Sequence, residues 1–199
     1  MMEQRKKAKI AVLVSGGGTN LQALIDAQGS GILQSGEIRA VITTNPRAYA
    51  LERASKAGIE TLILPRVGFE EALKAALEER GIDLIILAGF MRILSGDFTA
   101  RWPRRILNVH PALIPSFCGQ GFYGLKVHEA ALERGVKVTG ATVHFVNEIP
   151  DGGEIILQKA VEVLPGDSPE VLQRRVMEQA EWILLPQAAE LVSKGVSNT

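Results

Sequence analysis

Asp83-Leu84-Ile85-Ile86-Leu87-Ala88-Gly89 is the stretch that decides the fold. Past Asp83 the run holds no polar side chain until glycine ends it. A strand that is apolar on both faces belongs at the centre of a parallel sheet covered on both sides, because a sheet with one wet face alternates. On the C-terminal side Arg105 to His110 is a further strand-like run, and on the N-terminal side Ile10 to Val14 is a continuous apolar one. Between such runs the period changes: Leu21, Leu24 and Ile25 have helical spacing. Glu37 to Thr44 reads as a strand, Ala48 to Ala57 as a helix that stops at Gly58, Thr61 to Leu64 as a strand, and Phe69 to Arg80 as a helix stopped by Gly81. The alternation predicts an α/β fold: a doubly wound, mainly parallel sheet with helices on both faces. The C-terminal third differs. Val136 to Asn147 and Glu154 to Leu164 are two long strand-like runs joined by Glu148-Ile149-Pro150-Asp151-Gly152-Gly153, which predicts an antiparallel extension. Ser168 to Lys194 reads as one long helix, capped by Asp167 or Ser168 with Pro169 in its first turn. With no repeat or linker, residues 1–199 read as a single domain, with 1–8 a flexible extension and 195–199 a flexible tail.

Lysine and arginine number 22, aspartate and glutamate 22, so the formal net charge is zero. That balance argues against a global grip on nucleic acid or an anionic membrane, and any anionic ligand must be held locally. Hydrophobic residues are 46% of the chain, enough for a sizeable core. The single cysteine, Cys118, excludes an internal disulfide and fits a reducing compartment. The basic start, Met1 to Lys9, is followed by an apolar run too short for a signal peptide, and the longest apolar runs are about half of what a bilayer span needs. The expectation is a soluble, cytoplasmic protein acting on small molecules, monomer or homodimer.

Chemistry concentrates at Asn108-Val109-His110-Pro111. Residues two apart on a strand point the same way, so the Asn108 amide and the His110 imidazole project together. Pro111 then ends the strand, at the carboxyl edge where open α/β sheets build their sites. A strand-end histidine also has an ordinary structural reading, as a hydrogen-bonder. Asp151 is by turn chemistry a turn residue; placed beside His110, its charge would raise the imidazole pKa and orient the ring. His144 and His128 default to structural roles. Ser15-Gly16-Gly17-Gly18-Thr19-Asn20, between the first strand and first helix, suits a phosphate monoester held by helix-start amides, or reads as a plain capped turn. The spacing fits neither a dinucleotide fingerprint nor a P-loop. Phe90, Met91, Ile93 and Leu94 could wall a slot for a flat heterocycle or simply pack under a loop. No spacing of Cys, His and carboxylates suggests a metal site. The loop Ser116 to Gly124, with three glycines and three aromatics, reads equally as a lid or as a static surface loop.

The segments SGGGTNLQALID, LAGFMRILS, NVHPALIPSF, TVHFVNEIPDGG and IILQ together resemble the phosphoribosylglycinamide formyltransferase family, folate-dependent enzymes of purine synthesis. The resemblance runs from about Lys9 to about Pro186. It implies the formyltransferase fold and transfer of a formyl group from 10-formyltetrahydrofolate, as co-substrate, to the glycyl amine of glycinamide ribonucleotide, with no metal. By resemblance Asn108, His110 and Asp151 are the catalytic trio. Gly18, Thr19 and Asn20 form the nucleotide-phosphate loop, and Glu181 contacts the ribonucleotide. Met91, Arg92, Ile93 and Leu94 form the folate pocket with Asn108 and the loop Asn147, Glu148, Ile149, Pro150 and Asp151. Three departures stand out: Glu181-Trp182-Ile183-Leu184-Leu185-Pro186 where the family reads E-H-x-L-Y-P, a shorter segment at Phe69 that lacks a folate-tail arginine, and Gly17 where many members have Asn.

The implied mechanism is direct transfer. Asn108 and a protonated His110 hydrogen-bond the formyl oxygen as charge builds on it, while Asp151 keeps His110 protonated and helps pass a proton, through water, to the departing nitrogen. Rival readings are a formyltetrahydrofolate hydrolase, which carries an extra N-terminal domain, a methionyl-tRNA formyltransferase, which carries a C-terminal RNA-binding domain, and a non-catalytic nucleotide-binding module.

Overall fold

The computed structural model describes residues 6–196. Seven strands form one sheet: β1 (Ala8–Leu13), β2 (Gly36–Thr43), β3 (Glu60–Ile63), β4 (Leu84–Leu87), β5 (Ile106–His110), β6 (Val138–Phe145) and β7 (Ile155–Glu162). Their order is β3-β2-β1-β4-β5-β6-β7. The first five are parallel, while β6 runs antiparallel to β5 and β7 to β6. β4 is therefore the central strand, as its sequence requires, and each of its four residues is buried. β1 is followed outward by β2 and β3 on one side and meets β4 on the other. That reversal is the switch point at which sheets of this kind open a crevice beyond their carboxyl ends.

Alternation along each strand divides the core. Ile10, Val12, Leu84, Ile86, Leu107 and Val109 face one layer, with Leu21 and Leu24 of α1 (Thr19–Ser30) and residues of the C-terminal rod. Ala11, Leu13, Ile85, Leu87 and Ile106 face the other, with Phe69, Leu73 and Leu77 of α3 (Phe69–Glu79). Asn108 and His110 continue the parity of Ile106, so their side chains leave the sheet on the α3 side. The remaining helices are α2 (Ala50–Lys56), the single turn α4 (Gly96–Thr99) and α5 (Leu125–Arg134). Four residues are too few to show a helical period, and α4 is invisible in the sequence for that reason.

The single helix expected over 168–194 is instead a rod in three parts: α6 (Pro169–Val176), a π turn (Met177–Glu181) and α7 (Trp182–Val196). Its start is as expected, with the Ser168 hydroxyl accepting from Val171 N–H and Pro169 in the first turn. The interruption has a local cause. Pro186 has no N–H for the Trp182 carbonyl and its ring crowds that carbonyl, so the preceding turn widens. The expected extension 1–8 lies mostly outside the described residues, but Ala8 is already a buried strand residue paired with Gly36. Of the expected tail 195–199, residues 197–199 lie outside the described residues and Gly195 and Val196 complete α7.

Truncating Ile86, fully buried in the central strand, is expected to destabilise the protein. Urea denaturation of Ile86→Ala should show a loss of about 2–5 kcal/mol. Val67→Ala, at a side chain 90% exposed, should stay within about 0.5 kcal/mol of the parent.

Candidate active site

A cavity of about 650 Å³ opens at the carboxyl ends of β4 and β5, beside His144 of β6. Asn108, His110 and Asp151 meet on its wall. Asp151 Oδ2 lies 3.4 Å from His110 Nδ1, and Asn108 Nδ2 lies 3.5 Å from Asp151 Oδ1. The loop after β6 delivers Asp151 because its neck is pinched. Phe145 N–H donates to the Glu154 carbonyl at 2.9 Å, and a Cβ on Gly153 would sit 1.7 Å from the Phe145 carbonyl oxygen. Only glycine allows that approach. Asp151 itself adopts φ 57°, a left-handed conformation that non-glycine residues rarely take.

The loop 116–124 closes on the same atoms. His110 Nε2 lies 2.7 Å from the Phe117 carbonyl, which can only accept, so Nε2 carries a hydrogen. The Gly119 N–H donates to Asp151 Oδ2 at 2.9 Å. His110 therefore has an acceptor at each nitrogen, which suits the imidazolium. Burial nevertheless pulls its pKa below the ordinary histidine value, outweighing the Asp151 charge and the Phe117 carbonyl, which raise it. The effect of Asp151 has the expected sign, but in the ligand-free site the ring rests neutral at pH 7. For Asp151, burial works upward. The His144 edge, the Gly119 amide and the imidazole charge of His110 outweigh it and hold the carboxyl below its ordinary value.

His144 has more than the structural role its sequence context suggests. Its Nδ1 lies 2.8 Å from the Phe145 carbonyl, which can only accept, so Nδ1 carries a hydrogen. Its Nε2 lies 3.2 Å from Asn108 Nδ2 and 3.5 Å from Asp151 Oδ1, so the ring edge holds both residues at the cavity wall. The signal for this contact is register, since Asn108 and His144 are direct partners across β5 and β6. Sequence alone does not fix an antiparallel register.

The other expected residues divide. Met91, Arg92, Ile93 and Leu94 line the cavity, as do Asn147, Ile149 and Pro150. The Met91 N–H donates to the Ser15 hydroxyl at 3.0 Å, tying this segment to the loop after β1. Glu148 does not reach the cavity. Asn147 Oδ1 accepts the Ile149 N–H at 3.0 Å, and this turn sends Glu148 to the rear, into a separate cleft beside Arg104 and Phe145. Gly18 and Thr19 do not line the cavity either. Gly18 has φ 73° and packs so closely that a Cβ would lie 2.7 Å from Ala50 Cβ, while the Thr19 side chain faces an outer groove with Arg53 and Trp182. Asn20 does line it, and its amide donates to Glu181 Oε2 at 2.8 Å.

Glu181 shares the cavity wall with Gln173 and Met177, two residues the sequence reading passed over. Spacing by four drifts forward around an α-helix. The wider π turn drifts backward instead, so 173, 177 and 181 stay on one line. Burial pushes the Glu181 pKa up to about 7, against the Asn20 hydrogen bond. Burial thus favours the neutral form of the carboxyl at this end of the cavity.

The arrangement offers hydrogen-bond donors and a proton-moving pair at one point of the cavity wall. The chain matches the formyl transferase family over residues 8–188. The chain belongs to the formyl transferase family. This formyl transferase is 42% identical to phosphoribosylglycinamide formyltransferase of Haemophilus influenzae, over 94% of the chain and 88% of that protein. It is 47% identical to the human trifunctional purine biosynthetic protein adenosine-3, over 96% of the chain but only 19% of that protein, so the chain spans about a fifth of that relative's length. The crystal structure of glycinamide ribonucleotide transformylase 1 from Symbiobacterium toebii superposes with a TM-score of 0.90 at 43% identity, covering 98% of this chain and 92% of that one. Among the described residues there is no cluster of His, Cys, Asp and Glu that could hold a metal ion, and no helix is long and apolar enough to cross a membrane.

The raised Glu181 pKa makes a stability prediction. An unfolded glutamate ionises near its ordinary value of 4.5, the folded one near 7. Between these, rising pH favours the unfolded chain. Glu181→Gln should therefore gain stability relative to the parent from pH 4.5 to 7, with a constant difference above that, in urea denaturation across the pH range. A difference independent of pH would remove the assignment.

Proposed function

We propose that this formyl transferase moves the formyl group of 10-formyltetrahydrofolate onto the glycyl amine of glycinamide ribonucleotide. The observation that carries the reading is the convergence of Asn108, His110 and Asp151 on one wall of a cavity whose two ends differ in character. One end, with Met91, Ile93, Leu94 and Ile149, is apolar and suits a pteridine and its attached ring. The other, with Asn20, Gln173 and Glu181, offers hydrogen-bonding groups for a sugar. The helix-start amides after Gly18 suit the phosphate beyond it.

The amine lone pair forms a bond to the formyl carbon, and the C=O pair moves onto oxygen. The Asn108 amide donates to that oxygen, as does the His110 Nε2–H where the oxygen replaces the Phe117 carbonyl as its acceptor, the role in which one donor commonly supplies about 10²–10³ in rate. His110 rests neutral and can take up a proton released by the attacking amine, directly or through water, with Asp151 opposite to stabilise the cation. Collapse of the intermediate breaks the bond from carbon to N10 of the folate, and the proton goes to that nitrogen. No acyl-enzyme is needed. Loss of Asp151 removes both the charge that favours the imidazolium and the group that steers the proton.

Incubation with 10-formyltetrahydrofolate, with and without glycinamide ribonucleotide, tests the reading. Tetrahydrofolate is expected only when both are present. Release without the ribonucleotide would indicate hydrolysis, and no release in either case would indicate a binding module. In the same assay Asp151→Asn should lower kcat by at least about a hundredfold with little change in either KM. Near-normal turnover would take Asp151 out of the mechanism.

A further inference from the structure

Among the described residues, three other than glycine adopt left-handed backbone conformations: Phe117 at φ 49°, Asp151 at φ 57° and Arg104 at φ 55°. The first two belong to the site, where the Phe117 carbonyl meets His110 and Asp151 faces the same ring. Such conformations are held against their intrinsic disfavour by surrounding contacts and gather where function needs them. Arg104 lies outside the cavity, and its conformation is unexplained by anything the cavity wall does.

Its contacts supply the explanation. The Arg104 guanidinium sits 4.6 Å from the centroid of the Phe145 ring and pairs with the Glu154 carboxylate. Phe145 ends β6 and Glu154 immediately precedes β7, so these are the two sides of the neck from which the Asp151 loop springs. Arg104 itself belongs to the turn that starts β5, closed by the Arg105 N–H donating to the Trp102 carbonyl at 3.0 Å. The next residue along, Ile106, accepts the Val146 N–H through its carbonyl at 2.9 Å. One side chain thus bridges the root of the strand that carries Asn108 and His110 to both ends of the loop that carries Asp151.

We propose that Arg104 is a positioning residue for the transfer site. It fixes the Asp151 loop relative to β5 by stacking on Phe145 and pairing with Glu154, and the chain retains a side chain at a backbone position that glycine would occupy more easily. An exposed ion pair adds little to global stability, whereas a stacked guanidinium adds a directional contact that lysine does not reproduce. The role is therefore geometric, and misplacement of a reacting group by a fraction of its reach is enough to slow transfer.

The decisive variant is Arg104→Gly, which relieves the backbone and removes the brace. Its melting temperature is expected to be unchanged or higher. Amide hydrogen exchange at residues 147–153 of the ligand-free protein is expected to rise at least about fivefold, with exchange in β1 and β4 unchanged. kcat/KM for the formyl folate is expected to fall roughly tenfold, with KM for the ribonucleotide unmoved. Arg104→Lys, which keeps a charge opposite Glu154 but loses the planar stack, should fall between the two. Parent-like exchange and kinetics in Arg104→Gly would overturn the proposal. So would a lowered melting temperature with faster exchange throughout the sheet, which is the pattern of a merely structural contact. The kinetic arm rests on the reading of the function given above, but the exchange arm does not: absence of transfer by the parent protein would end that reading and leave the brace to be judged by loop exchange.

Discussion

The Asp151 carboxylate accepts the Gly119 N–H at 2.9 Å through Oδ2, the oxygen that also faces His110, while Oδ1 faces His144 and Asn108. Four pieces of chain meet there: the end of β5, the end of β6, the loop before α5, and the turn that carries Asp151 itself. The geometry of the cavity depends on that meeting. If Asp151 withdrew, His110 would lose its counter-charge, the loop 116–124 would lose the amide contact that closes it over the cavity, and Asn108 would keep only His144. A left-handed backbone at Asp151 is tolerated because the pinched neck at Phe145, Gly153 and Glu154 leaves the turn little other path.

Two opposing effects set the state of His110, and their balance gives the site its character. Burial removes water from the imidazole and favours the neutral ring, while Asp151 and the Phe117 carbonyl favour the cation. A site in which the counter-charge won outright would present a permanent cation with no capacity to accept a proton. A site with burial alone would have no means of holding the proton once taken. The observed balance leaves a ring that can be charged during the reaction, which suits a transfer in which one nitrogen gives up a proton and another receives it. Glu181 applies the same physics at the other end. Deep burial with only Asn20 for relief brings its pKa to about 7, so a carboxyl contributes hydrogen bonding there without a full charge near the phosphate of the ribonucleotide proposed to bind.

Much of this was legible in the residues. The apolar run at Leu84–Leu87 marks the centre of the sheet, because a strand that buries four consecutive large side chains must be covered on both faces. Strand parity placed Asn108 and His110 together, and Pro111 announced where the strand would end. What the residues concealed depends on contacts between distant segments. His144 enters the wall only through the β5–β6 register, and Glu148 leaves it through the turn made by Asn147. Gln173 and Met177 reach the cavity because a π turn corrects the drift of the helix, a detail with no period of its own to read. Thr19 faces outward for a similar reason: α1 packs on α7, and Thr19 lines the outer groove with Trp182.

The central claim is that the Asp151 charge opposes burial in setting the ionisation of His110. NMR titration of the His110 ring, in the parent and in Asp151→Asn, tests it directly. The parent ring should titrate below the ordinary histidine value of 6.5, and removal of the opposing charge should move the midpoint lower still, since burial then acts with only the Phe117 carbonyl against it. A midpoint in Asp151→Asn equal to or above that of the parent would contradict the account.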